Sequence, residues 1–162
     1  MDRGSTTATL TRSETMRIVI AEAGMEYGIA SDTPIRTPED AANQGKPFAY
    51  EVTEQFAVLI LNSKNGMIAS EIITSGILDA SLMHPREVFR AAITRGGAAI
   101  VLIHNHPSGD PTPSAEDVRI TRQLVTAGKI LDIKVLDHII IAPSGNGAIK
   151  HLSMREAGLI TI

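Results

Sequence analysis

The run Ala98–Ile103, apolar at every position, leads directly into His104-Asn105-His106, and no other segment constrains the chain as tightly. Gly96-Gly97 precedes it and a proline-rich loop follows, so it reads as a short strand at the centre of a sheet. Side chains on a strand alternate between faces. His104 and His106 are therefore expected to project together from the strand's end, with Asn105 on the other side. The loop Pro107–Pro113 then delivers Ser114 at a helix cap and Asp117 one turn into the helix, where a carboxylate can face back toward both imidazoles. Two nitrogens and one oxygen, with a fourth position left to water, are the donor set of a catalytic zinc ion. The same residue types also occur as plain loop polarity and helix capping, and a His-x-His pair taken alone favours that plainer reading.

The chain has no cysteine, which excludes disulfides and thiolate ligands and leaves a bound metal to His and carboxylate side chains. At 162 residues, 43% hydrophobic and only 3% aromatic, it is long enough for one well-filled core built from aliphatic side chains. A net charge of −3 and a pI near 5.9 have the wrong sign for holding nucleic acid by counterion release. Ala98–Ile103 is far shorter than a membrane span, and Met1–Thr7 is not followed by the apolar core of a signal peptide. A cytoplasmic protein that does not enter the membrane is the expectation.

Other segments fill out an α/β pattern. The first ten residues lack periodicity and read as a flexible lead-in, and Glu14–Met25 is open between strand and short helix. Thr37-Pro38-Glu39-Asp40 opens a helix that Gly45 and Pro47 stop quickly. Phe56–Leu61, the turn Asn62–Gly66 and Met67–Ser75 form a β-hairpin. His84-Pro85 opens a helix with Val88, Phe89, Ala92 and Ile93 on its inner face. Ser114 caps a helix that places Val118, Ile120, Leu124 and Val125 inward and ends at Gly128. Ile133–Ile141 and Ala148–Leu152 are the last strands, joined by a turn over Pro143–Gly147. The expected division is an N-terminal extension over residues 1–50, partly flexible, and one domain over 51–162.

The string from His104 to Asp117 has the spacing His-x-His, seven residues, Ser, two residues, Asp, and it closely resembles the JAMM metalloprotease motif. Asn105 between the histidines, the segment Pro107-Ser108-Gly109-Asp110-Pro111-Thr112-Pro113-Ser114, and the blocks Pro85–Phe89 and Leu136–Ile140 resemble the RadC family, in that family's order. The resemblance covers about residues 54–158. It implies a JAB/MPN-like, cytidine-deaminase-like α/β domain: a mixed sheet flanked by helices with zinc at the sheet edge. It implies His104, His106 and Asp117 as zinc ligands, an upstream glutamate as general base, and Ser114 steadying the oxyanion. The sequence departs from the family in two places. No helix-hairpin-helix-like region fits the first fifty residues, and Ala142 stands where glycine is frequent.

Glu54, at the start of the Phe56–Leu61 strand, is the first choice for the base, and Glu71 in the following strand is its rival. Either can instead be a solvated charge at a strand edge. His138 reads as a structural histidine near the site, His84 as helix-opening, His151 as surface, and Asp110 as turn chemistry. The leading expectation is a zinc metallohydrolase acting on peptide or isopeptide bonds, with a peptide or protein substrate. The alternatives are a zinc-bearing interaction module without catalysis, and a DNA repair or recombination accessory, which the acidic pI opposes.

Overall fold

The computed structural model describes residues 17–19, 28–76 and 83–162. Its strands are β1 (Arg17–Val19), β2 (Gly28–Pro34), β3 (Gln55–Leu61), β4 (Gly66–Ser75), β5 (Ala99–Asn105), β6 (Lys134–Pro143) and β7 (Ile149–Ser153). Its helices are α1 (Pro38–Gly45), α2 (Pro85–Thr94) and α3 (Ala115–Leu131). The strands form a mixed sheet in the order β1-β2-β4-β3-β5-β6-β7. Only β5 and β6 run parallel; every other neighbouring pair is antiparallel. The α/β class with a mixed sheet flanked by helices is thus the one adopted. Within Glu14–Met25 the described part, Arg17–Val19, is strand; the remainder and the lead-in lie outside the described residues.

A parallel pair cannot be closed by a hairpin and needs a crossover, which α3 supplies between β5 and β6. The crossover begins where β5 ends. The start of α3 therefore returns beside the last residues of β5, which brings Ser114 and Asp117 to the histidines.

Strands β3 and β5 are apolar on both faces because both faces are covered. Phe56, Val58, Ile60, Ile100 and Leu102 pack with Val88 and Phe89 of α2 and Ile120 and Leu124 of α3. The intervening Ala57, Leu59, Leu61, Val101 and Ile103 pack with Ala41 and Ala42 of α1 and with Phe48. Each large aliphatic or aromatic side chain so buried stabilises the fold by about 1.5–3 kcal/mol before entropy is set against it.

Three details differ from the sequence expectation. Ile35, Ala41, Ala42, Phe48 and Ala49 belong to the core, so the packed unit extends upstream of the boundary expected at residue 50. A Cβ at Gly45 would lie 2.8 Å from Ile103 Cγ2, so this glycine lets α1 approach the sheet closely. Ile93 is 58% exposed. The buried stripe of α2 is Val88, Phe89, Ala91 and Ala92, and Ile93 falls one position past its edge. Finally, α3 runs through Gly128 to Leu131 and stops at Asp132, which adopts the left-handed conformation (φ 56°) and donates its N–H to the Gly128 carbonyl. Gly128 marks a close approach instead of a stop: an added Cβ would meet the Ile133 carbonyl oxygen at 2.5 Å. No helix among the described residues is long and apolar enough to cross a membrane.

Candidate metal centre

His104 is the last-but-one residue of β5 and is 1% exposed. His106 lies just beyond the strand, where its N–H donates to the Ile141 carbonyl (2.8 Å) and prolongs the β5–β6 pairing. The two rings do project together, as alternation requires, with centroids 4.7 Å apart and planes nearly perpendicular. His106 Nδ1 sits 2.9 Å from the Asp110 carbonyl oxygen. Donation from Nδ1–H to that carbonyl, the tautomer assigned by this network, leaves the Nε2 lone pair free to face the site. Asp110 itself is turn chemistry: its carboxylate accepts from the Thr112 N–H and hydroxyl, which hold its carboxyl below the usual range.

Ser114 and Asp117 close the N-terminus of α3 as a reciprocal capping box. Asp117 Oδ2 accepts from Ser114 N–H (2.7 Å) and Oγ–H (2.6 Å), while Ser114 Oγ accepts from Asp117 N–H (3.1 Å). Asp117 Oδ1 is turned to His104 Nδ1 at 3.2 Å, and Oδ2 is 3.8 Å from His106 Nε2. Burial works against the charged form of Asp117, yet His104 and Ser114 together hold its carboxyl well below the ordinary carboxylate range. Ser114, expected to steady an oxyanion, has its hydroxyl proton committed to Asp117, so in this structure its contact is with the candidate ligand.

The Glu54 carboxylate joins His104 and His106 in a group whose donor atoms all lie within 4.8 Å of one another. Its rival is engaged elsewhere. Glu71 faces Val58 in mid-sheet and pairs with Arg95 at 3.3 Å.

Both ring nitrogens of His104 are buried without a hydrogen-bond partner among the described residues, because the Asp117 contact lacks the geometry of one. Buried polar groups are rarely left so, and each costs about 1–3 kcal/mol unless something else satisfies it. A divalent cation between the imidazoles and the carboxylates would supply a partner for one of the two nitrogens. Two histidines with a carboxylate and no thiolate are a donor set that suits a borderline divalent metal.

Behind the site, His138 on β6 is fully buried, with Nδ1 2.6 Å from Thr121 Oγ1. The same hydroxyl donates to the Asp117 carbonyl at 2.6 Å. Burial first, and the neighbouring His104 second, push the His138 imidazole down to about 3. The reading of His138 as a structural residue beside the site fits these contacts. Thr121 escaped the sequence reading, although its place one turn after Asp117 on α3 was a signal. His84 caps α2 through Nδ1, accepting from Arg86 N–H, and His151 is exposed on β7.

Comparison with known proteins agrees with this geometry. A family model described as the RadC-like JAB domain matches residues 35–159. A UPF0758 protein of Caldanaerobacter subterraneus subsp. tengcongensis is 48% identical over 143 residues, covering 88% of this chain and 57% of that protein. One from Symbiobacterium thermophilum is 47% identical over 147 residues, covering 86% and 60% respectively. One from Staphylococcus carnosus is 45% identical over 150 residues, covering 88% and 64%. The chain thus spans about three-fifths of the length of these curated relatives.

Proposed function

The chain belongs to the RadC-like JAB domain family, and on that premise we propose that it is a zinc-dependent hydrolase of peptide or isopeptide bonds, with His104, His106 and Asp117 as the ligands. The observation that carries the reading is the buried His104, whose ring has no hydrogen-bond partner among the described residues, offers one nitrogen to a group with His106 and Glu54, and has Nδ1 3.2 Å from Asp117 Oδ1. Zinc held by these residues would supply Lewis-acid chemistry, activating water near neutral pH and polarising a carbonyl. The rest is done by the chain. The Glu54 carboxylate accepts the proton of the attacking water and returns it to the leaving amine nitrogen. Its partial exposure suits that exchange, since it must meet both solvent and substrate. Ser114 holds the Asp117 carboxylate toward the histidines, and Asp110 fixes the His106 ring through its backbone carbonyl.

Metal analysis of protein purified without chelator is expected to find close to one zinc per chain, lost in His106→Ala. Zinc-loaded protein is then assayed on peptides and on isopeptide-linked conjugates, with Glu54→Gln as the control. Turnover that needs zinc and Glu54 supports the hydrolase. A chain that holds zinc tightly, cleaves neither bond type and is unchanged by Glu54→Gln is an interaction module instead.

A further inference from the structure

Asn105 lies between the two histidines in sequence but on the opposite face of β5, and it is completely buried. That face looks toward the irregular segment 51–54 and the first residue of β3, Gln55. Asn105 Oδ1 accepts from the Gln55 N–H. Its amide nitrogen donates to the Thr53 carbonyl at 3.1 Å and lies 3.4 Å from the Glu51 carbonyl. The Thr53 carbonyl belongs to the peptide unit preceding the Glu54 Cα, and the Gln55 N–H to the unit following it. One side-chain amide therefore fixes both peptide planes that flank Glu54. With both planes fixed, the two backbone torsions of Glu54 are fixed as well.

Glu54 otherwise has little to hold it. It is half-buried and precedes the first paired residue of β3, with one further tie where its carbonyl accepts from Gly76 N–H at 2.9 Å. We propose that Asn105 is a positioning residue: its buried amide clamps the backbone on either side of Glu54 and so aims that carboxylate at the His104–His106 pair. This rests on the role proposed above for Glu54. Alternation along β5 makes the device compact, because three successive residues serve two faces: the histidines toward the ion, and the asparagine toward the carboxylate that works beside it. A hydrophobic residue of the same size would pack there but could not fix the two planes.

The test uses the metal-free protein reconstituted with Co²⁺, whose absorption spectrum reports the ion's surroundings without a substrate. Glu54→Gln is expected to alter that spectrum. Asn105→Ala should reproduce the alteration, keep zinc bound, and add nothing in the double variant with Glu54→Gln. Amide exchange at Gln55 should rise roughly fivefold or more, as loss of one hydrogen bond implies. If Asn105→Ala does not fold, Asn105→Leu fills the same volume without the amide, and failure of both to fold makes Asn105 a folding residue and overturns the proposal. A parent-like cobalt spectrum in the Asn105 variants, or additive changes in the double variant, overturns it too while leaving Glu54's role intact. A silent Glu54→Gln sinks both.

Discussion

Ser114 Oγ and Asp117 Oδ2 are 2.6 Å apart, in a capping box that occupies one oxygen of the carboxylate and leaves the other 3.2 Å from His104. One aspartate thus caps the start of a helix and faces the two histidines of the candidate metal site. Ser114→Ala is expected to lower the stability of the metal-free protein by about 1 kcal/mol through the lost cap. It should also weaken zinc by roughly 10–100-fold, the usual cost of removing a group that orients a ligand. Thermal unfolding in chelator and zinc competition titration read the two effects separately.

Glu54 and Asp117 both approach the histidines, and substitution separates their roles. Glu54→Gln should leave zinc bound and reduce turnover by about a hundredfold or more, because the amide keeps the shape but accepts no proton. Asp117→Ala should lose both metal and turnover. The group formed by Glu54, His104 and His106 also allows the opposite assignment. Loss of zinc in Glu54→Gln with retention in Asp117→Ala would exchange the two roles.

Zinc affinity is expected to fall steeply below about pH 6, since an imidazole must be neutral to coordinate and an unperturbed one titrates near 6.5. Competition titrations between pH 7.5 and 5 check this. A flat profile would mean that the histidines are not the ligands.

The placement of His104, His106, Ser114 and Asp117 was legible because each part has a local rule: alternation orients the histidines, and the capping pattern places Ser114 and Asp117 one turn apart. The hairpin of β3 and β4 was legible for the same reason, through Asn62 and the left-handed Asn65 in its turn. What escaped depends on contacts between distant segments. Asn105 reaches back about fifty residues to Thr53 and Gln55, and Thr121 meets His138 across the helix–sheet interface. Gly128 misled for a related reason. Gly45 does end α1, as its local pattern indicates, but Gly128 lies inside α3 at a point where the helix presses on its neighbours, which no local pattern encodes.

Gly128→Ala tests that account by its sign. In a free helix the change would stabilise by about 1 kcal/mol through propensity. Here the new Cβ would lie 2.5 Å from the Ile133 carbonyl oxygen and 3.2 Å from Phe89 Cζ and Val135 Cγ2. Overpacking of that kind costs about 1–3 kcal/mol and should win. Urea unfolding is expected to show a less stable variant; a more stable one would make Gly128 a mere helix weakness.

His138 sets the acid limb of stability in the metal-free protein. Burial, then His104, lowers its folded pKa to about 3, against 6.5 for the unperturbed side chain. Between those values the unfolded chain binds a proton that the folded chain refuses, so stability rises with pH across this window and falls as pH drops below 6.5. One such proton gives a slope approaching 1.4 kcal/mol per pH unit, so acidifying from 7 to 5 costs about 2 kcal/mol through this residue alone. Urea unfolding in chelator at pH 7, 6 and 5 should show that loss, and His138→Gln should flatten it. Carboxylates such as Asp117 add their own loss only at lower pH, because their unfolded forms take up protons near 4. The ring-proton resonances of His138 give the direct check. They are expected not to titrate down to pH 4, since the Thr121 hydroxyl satisfies Nδ1 and no partner among the described residues awaits a second N–H at Nε2. A midpoint near 6.5 would show that the pocket between α3 and β6 admits the charged ring, and the acid loss of stability would then have to come from another group.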